Sequence, residues 1–568
     1  MALQTTPRLI SVFLILILSV QQAEAGSPPS IDWSIAFNTD STAHKFGAVR
    51  FSETEADIVY IAGAGDLNAS GKDYPDDPSL FPVTRVLPEG VDLANALNTI
   101  GVWVGKLNYR TNQFEFFTFI VLGSGAVPTA VADLAFDSSG DIILVGSTTF
   151  GVGGRPPFPS TNSGGVAGCR TTDSRTPSDD GLIIRLSADG QDLKFACAYG
   201  GSGEDHITTV SVLPSDAIAI GGYTKSADLF TNVGYDTNLN GEQDGFIAVQ
   251  LAGRHNYAMY RVAYVGGSGG DVILDSILVG ANKLIFGGLT DSQDLFTTPD
   301  AIESAPLGML DQFLIQVDPE TIEHLYLSYL GATGSEDIQQ LASDASGNVY
   351  LVGTSNSSDY PVVGQNALSP HGGIGAVVTK LDPDLSRILF SSFHGFSPAD
   401  FVSGESIAVN DHGDLAIGGQ TDDPLLYPAV NPLTDLDEST LPFAREYAHV
   451  IKWLNNNGRY ELDYATTLGG DGSAQDLDLI DRENLLIGGI VDAHSLIDPT
   501  YHYAPIGEFG NSFGPFAMVI SNEVPDLPVV SGGGSNNDNN SGGGGGGALS
   551  VLGLLCVLAI MRVRLRRR

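Results

Sequence analysis

The sequence predicts an all-β chain built as a seven-bladed β-propeller, because one unit recurs seven times, each unit carries four strand signals, and a single unmatched strand opens the array. The recurring segment is an apolar, β-rich run that ends on glycine. Its copies are VYIAG at 59–63, IILVG at 142–146, IAIGG at 218–222, LIFGG at 284–288, VYLVG at 349–353, LAIGG at 415–419 and LLIGG at 485–489. The closing glycines are separated by 83, 76, 66, 65, 66 and 70 residues, a spacing too long for common solenoids and suited to one multi-strand sheet per unit.

The strand signals follow a fixed order within the unit. A first strand leads into turn chemistry such as DSSGD at 137–141 or DASGN at 344–348, which suits a hairpin. The glycine run is the second strand. After a loop of variable length comes a third, as in LIIRL at 182–186, FIAVQL at 246–251, FLIQV at 313–317, AVVTKL at 376–381 and VIKWL at 450–454. A fourth closes on glycine, as in FACAYGG at 195–201, YRVAYVGG at 260–267, LYLSYLG at 325–331 and LDYATTLGG at 462–470. The seventh unit stops after its third strand, FAMVIS at 516–521, whereas the chain begins with IDWSIAF at 31–37, a fourth strand without its first three. Pairing these two completes blade seven, closes the ring and leaves no long free edge.

Outside the array the two ends read as addresses. Residues 1–25 form a secretory signal: Arg8, an apolar run at 9–20, and a small-x-small site that places cleavage between Ala25 and Gly26. The propeller then spans 26–523. Residues 524–547 are a linker rich in Gly, Asn and Ser that cannot bury a core. Residues 548–568 join an apolar stretch, ALSVLGLLCVLAIM, to the basic end RVRLRRR. As a helix that stretch rises about 21 Å, short of the roughly 30 Å hydrocarbon core.

The repeat resembles the SBBP β-propeller family, carried by GNVYLVGTS at 347–355 with SDYP at 358–361, and by SADLF at 226–230 leading to GYDTNLNGEQDGFIAVQL at 234–251. That resemblance implies a fold and supplies no catalytic residues. The glycine spacer, short apolar helix and arginine end resemble the GlyGly-CTERM sorting signal of Gram-negative bacteria. The resemblance implies brief inner-membrane attachment, cleavage by a rhombosortase-like protease after signal peptidase has acted, and release to the cell surface or medium. The other reading of the same residues is a permanent single-span anchor.

Composition narrows the partners. The formal net charge is −40, with 67 acidic residues against 27 basic ones. Such a field disfavours nucleic acid and anionic membranes and keeps an exported monomer soluble. The mature body retains Cys169 and Cys197, which either form one disulfide that pins a loop or stay as buried thiols. Enzyme signatures such as HExxH and the Walker-type phosphate-binding loop are absent from the sequence.

Two constellations are candidates for chemistry. Asp236, Asn238, Asn240 and Asp244 place oxygen ligands at alternate positions around Gly241, a pattern that can wrap Ca²⁺ and equally a polar turn before strand three. An acid also recurs after the blade-closing glycines, at Asp205, Asp271, Asp337 and Asp400. Repetition favours a turn-capping job for these, with a cation-binding ring as the alternative. The longest insertions, 66–99, 149–180 and 421–447, all join strands two and three and therefore begin on one face, where Tyr501, His502 and Tyr503 also fall in a loop. The functional expectation is an exported, non-catalytic scaffold binding an extracellular glycan or protein at that face. The competing one is a polysaccharide hydrolase or lyase at the channel mouth.

Overall fold

The computed structural model describes residues 30–37, 45–52, 54–66, 85–87, 100–121, 126–150, 179–229, 236–250, 259–370, 372–395, 401–422, 446–470, 472–492, 501–503 and 513–521. Among them every regular element is a β-strand, and no helix is long and apolar enough to cross a membrane. The propeller belongs to a unit spanning residues 1–524. Residues 525–568 form a second unit and, with both processing residues Ala25 and Gly26, lie outside the described residues.

The chain enters with β1 (Ser30–Phe37). Blade one follows as β2 (Lys45–Phe51), β3 (Ile58–Asp66), the short β4 (Arg85–Leu87), β5 (Ile100–Asn108) and β6 (Gln113–Val121). Blade two is β7–β10 (Ala126–Phe136, Ile142–Phe150, Asp179–Leu186, Leu193–Tyr199), and blade three is β11–β14 (Asp205–Val212, Ile218–Thr224, Asp244–Gln250, Met259–Val265). Blade four is β15–β18 (Asp271–Val279, Lys283–Thr290, Asp311–Val317, His324–Leu330), and blade five is β19–β22 (Gln340–Ser343, Val349–Ser355, Gly375–Leu381, Ile388–His394). Blade six is β23–β26 (Ser406–Val409, Leu415–Thr421, Tyr447–Asn456, Arg459–Gly470), and blade seven is β27–β30 (Ser473–Leu479, Asn484–Asp492, Tyr501–Tyr503, Phe513–Ser521). Each sheet is an antiparallel meander, and the first strands meet in the cycle β2, β7, β11, β15, β19, β23, β27 and back to β2. The expected seven-bladed propeller is therefore the fold.

Ring closure is as the unmatched strand predicted. β1 pairs antiparallel with β30, with Ser30 opposite Ser521 and Ala36 opposite Phe516, so the start of the chain supplies the outer strand of blade seven. Successive blades pack face to face, and the seven junctions each hold an apolar core, for example Ile220, Phe246 and Tyr264 with Ile143 and Ile183 between blades two and three.

The repeat glycine has a local cause. The first strands of blades one to four and seven carry a β-bulge, where a carbonyl leans over the second strand. A Cβ built on Gly222 would meet the His206 carbonyl oxygen at 1.9 Å, and one on Gly353 would meet that of Asp337 at 1.8 Å. No side chain fits between the two backbones, so glycine is required there.

The loops joining strands two and three also have a structural job wherever they are described. β4 pairs parallel with β6, β29 pairs parallel with β1, Glu303 bridges to Tyr329 and Val363 bridges to Ser391. In each case the loop turns outward and straps the exposed edge of the outer strand, which covers groups that would otherwise template aggregation. Of the three long insertions expected to crowd one face, only 85–87 of the first lies well inside the described residues, and it runs along the outer edge of its blade. The longest stretches of the three insertions lie outside the described residues.

Candidate functional site

Two of the predicted turn positions, together with a residue adjacent to a third, form a single recurring device. Asp205 is fully buried, and its carboxylate accepts bonds from the Gly201 N–H at 2.7 Å, the Ser226 hydroxyl at 2.8 Å and the Thr224 hydroxyl. Asp271 repeats this with the Gly267 N–H and the Ser292 hydroxyl, both at 2.8 Å. In the next blade the cap is Glu336, which accepts from the Ala332 N–H and the Ser355 hydroxyl, both at 2.9 Å, and from the Ser357 hydroxyl. Asp337 was expected in that role, but the longer Glu336 reaches the turn from one position earlier, and Asp337 instead accepts from the Thr354 N–H. Asp400 lies outside the described residues.

A second carboxylate faces each of these caps across a glycine. A Cβ on Gly266 would lie 2.6 Å from the Asp244 carboxyl carbon and 2.8 Å from an Asp271 oxygen. The glycine turn thus threads between two buried acids, and burial together with Asp271 raises the Asp244 carboxyl to about 6. Asp244 is one of the four residues proposed for calcium. Its oxygens accept from the Asn240 N–H at 2.8 Å and the Gly241 N–H at 3.1 Å, while Asp236 accepts from the Asn238 N–H at 3.0 Å and the Asn240 side-chain amide at 2.5 Å. This loop is closed by its own N–H donors. Among the described residues no three His, Cys, Asp or Glu side chains converge as a metal centre. Cys197 is buried in β10 and disulfide-bonded, and Cys169 lies outside the described residues.

Sequence reasoning missed the largest polar assembly, which lines the central channel. A polar group from each first strand reaches toward a neighbouring blade. Asp133 accepts the Val210 N–H at 2.9 Å, Asp275 accepts the Leu341 N–H at 2.7 Å, Gln340 accepts the Ile407 N–H at 3.0 Å and Asp476 accepts the Val49 N–H at 2.9 Å. The remaining junctions use hydroxyls and one cation. Thr208 donates to the Ile273 carbonyl at 2.8 Å, Ser406 donates to the Ala474 carbonyl at 2.9 Å, and Arg50 donates to Asp133 at 2.9 Å. Every blade junction therefore carries a polar clasp at the channel. One strand signal could have revealed it: Asp133, Thr209, Asp275, Gln340, Ser406 and Asp476 each stand 13 residues before the repeat glycine.

Within this ring Arg50 bridges Asp133 and Asp476, the latter at 2.5 Å, and Gln340 crosses to Asp476 at 3.1 Å. The carboxylates around it hold the Arg50 guanidinium protonated even more firmly than usual, against the cost of burial. Asp478 accepts the Phe51 N–H at 2.7 Å and is pushed up to about 6, chiefly by burial. Around these groups lies a cavity of about 790 Å³, which runs on past Val212, Leu278, Val409 and Ile480. Those residues end the first strands, so the cavity extends toward the hairpin side, opposite the loops that join strands two and three. A ligand-sized, mostly polar space around an acidic, clasped ring is what the channel offers.

No curated protein matches the chain. Among solved structures, Raptor from Chaetomium thermophilum is 9% identical over 89% of this chain and 30% of its own, with a TM-score of 0.43. This chain thus spans less than a third of Raptor's length. The quinohemoprotein alcohol dehydrogenase from Comamonas testosteroni is 11% identical, covering 90% and 79% of the two chains at a TM-score of 0.41. A PL25 ulvan lyase is 8% identical, covering 83% and 93% at a TM-score of 0.36. Residues 325–361, from the outer strand of blade four to the strap of blade five, match the SBBP β-propeller repeat, and the chain carries that repeat within a seven-bladed β-propeller.

Proposed function

We propose that this chain is an exported, non-catalytic binding scaffold that meets an extracellular glycan or protein through its long loops between strands two and three. The observation that supports the reading is the state of the acids. Asp133, Asp275 and Asp476 in the channel, and Asp205, Asp271 and Glu336 in the turns, all accept backbone N–H bonds that fix blade to blade or close a turn. Acids committed to main-chain donors are scaffold, and a rigid scaffold that presents long loops is a common way to build specificity. The secretory start and the sorting tail fit the same reading, with delivery to the surface of a Gram-negative cell.

A second reading, a hydrolase or lyase working in the channel, draws on one specific feature. Asp275 is raised to about 7 by burial and by Asp133, a value that suits a general acid or base at neutral pH. A glycan array run beside turnover assays on the same polysaccharides separates the two. Binding without product is the expected result, and released product would overturn the non-catalytic reading. Mass spectrometry of the mature C-terminus tests the tail, since an intact RLRRR end on surface protein would exclude sorting by cleavage.

A further inference from the structure

The channel ring contains more acid than its cations can balance. Among the described residues, its ionisable groups are Arg50 from β2, Asp133 from β7, Asp275 from β15, Glu405 beside β23, and Asp476 and Asp478 from β27. The lining contributed by β11 and β19 is Thr, Ser, Gln and apolar side chains. Arg50 is committed to Asp133 and Asp476, so Asp275 faces the ring with no cation of its own. Its carboxylate accepts the Leu341 N–H at 2.7 Å and the Ser276 N–H at 2.8 Å, and the Thr209 hydroxyl lies 3.1 Å from it and 3.4 Å from Asp133. That hydroxyl also contacts Ser276 at 2.8 Å.

A hydroxyl has one proton to donate. With both carboxyls ionised, Thr209 can serve only one of them, and the other points a charge at an oxygen lone pair. With one carboxyl protonated, the chain becomes complete: the acid donates to Thr209, and Thr209 donates to the remaining carboxylate. Arg50 keeps Asp133 ionised, which leaves the proton on Asp275. We propose that Asp275 retains a proton at neutral pH and passes it as a hydrogen bond through Thr209 to Asp133, forming a latch across blades two, three and four. As pH rises the proton leaves, two like charges face each other across a single hydroxyl, and the ring loosens.

The upward displacement of both carboxyls agrees with this, burial being the first cause for each and Asp133 the second for Asp275. Because the folded chain holds the proton to a higher pH than the unfolded chain does, the stabilisation is full in acid and is lost as pH rises through about 7. The proposal is independent of whether the loops bind a glycan.

The test is infrared detection of protonated carboxyl groups in the full chain as pH is raised from about 5 to about 9, alongside thermal melts at the same points. Asp244 and Asp478 also titrate near 6, so the signal is the difference between wild type and Asp275→Asn: it should show one carboxyl band lost near neutral pH, with a fall in melting temperature alongside. Asp275→Asn, which mimics the protonated acid, should lack that step, and its melting temperature should fall less than that of wild type across the same range. Asp133→Asn should move the step toward acid by about one pH unit, because the facing charge is gone. An unchanged step in Asp275→Asn would overturn the assignment of the proton. A step unmoved in Asp133→Asn would leave Asp275 merely buried and overturn the latch. If Asp133→Asn does not fold, the Asp275→Asn melts alone still decide, since a pH profile identical to wild type refutes the proposal.

Discussion

Removing the Asp476 carboxylate should open the ring at the junction where the chain closes on itself. This side chain is 4% exposed and accepts four bonds: from the Val49 N–H at 2.9 Å, Arg50 at 2.5 Å, Gln340 at 3.1 Å and the Leu477 N–H at 3.1 Å. Asp476→Ala leaves the Val49 N–H buried without its acceptor, which costs about 1–3 kcal/mol. It also takes one partner from a largely buried ion pair, for which about 3–5 kcal/mol is usual. The two terms overlap, and Arg50 retains Asp133, so the expected loss is about 3–5 kcal/mol in total. Asp478→Ala, which gives up the bond to the Phe51 N–H at 2.7 Å, should cost less, about 1–2 kcal/mol. Urea unfolding followed by circular dichroism at neutral pH gives both values. The reasoning fails if Asp476→Ala lies within about 1 kcal/mol of wild type, or if Asp478→Ala costs the more of the two.

Two further perturbations probe other parts of the fold. Deleting residues 27–38 removes β1 and leaves β30 without its outer partner, so the melting temperature should fall steeply; an unchanged value would mean that blade seven closes some other way. His394 and His449 are buried together between blades five and six, and burial holds them down to about 3 and about 4. The unfolded chain therefore takes up these protons first, so stability is intact above about pH 6.5 and is lost as pH falls toward 3–4, by about 3–5 kcal/mol per histidine. Replacing His394, whose ring packs 4.9 Å from that of Trp453, with Phe should flatten the acid limb of a stability–pH curve, and an unaltered limb would refute the assignment.

What could be read in advance depended on whether a position admits one residue type or several. The second-strand glycine was visible because a carbonyl leaning over it excludes every Cβ, so the same letter had to recur in each blade. Asp205 and Asp271 were visible for a related reason, since two serine or threonine hydroxyls and a turn N–H together call for a carboxylate. The channel ring was hidden because its requirement is only for a group that can bond the neighbouring blade. Asp133, Thr209, Asp275, Gln340, Ser406 and Asp476 all meet it, and no shared letter marks the position. Glu336 shows the same latitude: one more methylene lets the cap shift by one residue, which defeats an argument from spacing. Outward strapping by the loops could not be anticipated either, because those contacts are to the outer-strand backbone and demand no particular side chain.

This division has a consequence for where new sequence can be accommodated. The ring fixes the blades from the inside, through bonds whose donors are mostly main-chain N–H groups of the first strands. The straps close them from the outside, through β4 on β6, β29 on β1, and the bridges at Glu303 and Val363. Between strap and strand a loop can lengthen with little effect on either, since the entropy of closing it grows only slowly with length. The spacing between repeat glycines accordingly runs from 65 to 83 residues while the four-strand meander is kept. Long loops in such a frame are free to vary for binding, whereas a charge introduced into the ring would disturb three blades at once. The acidic surface and the acidic ring thus have different origins: the first keeps the chain dispersed, and the second is the fastening of the propeller itself.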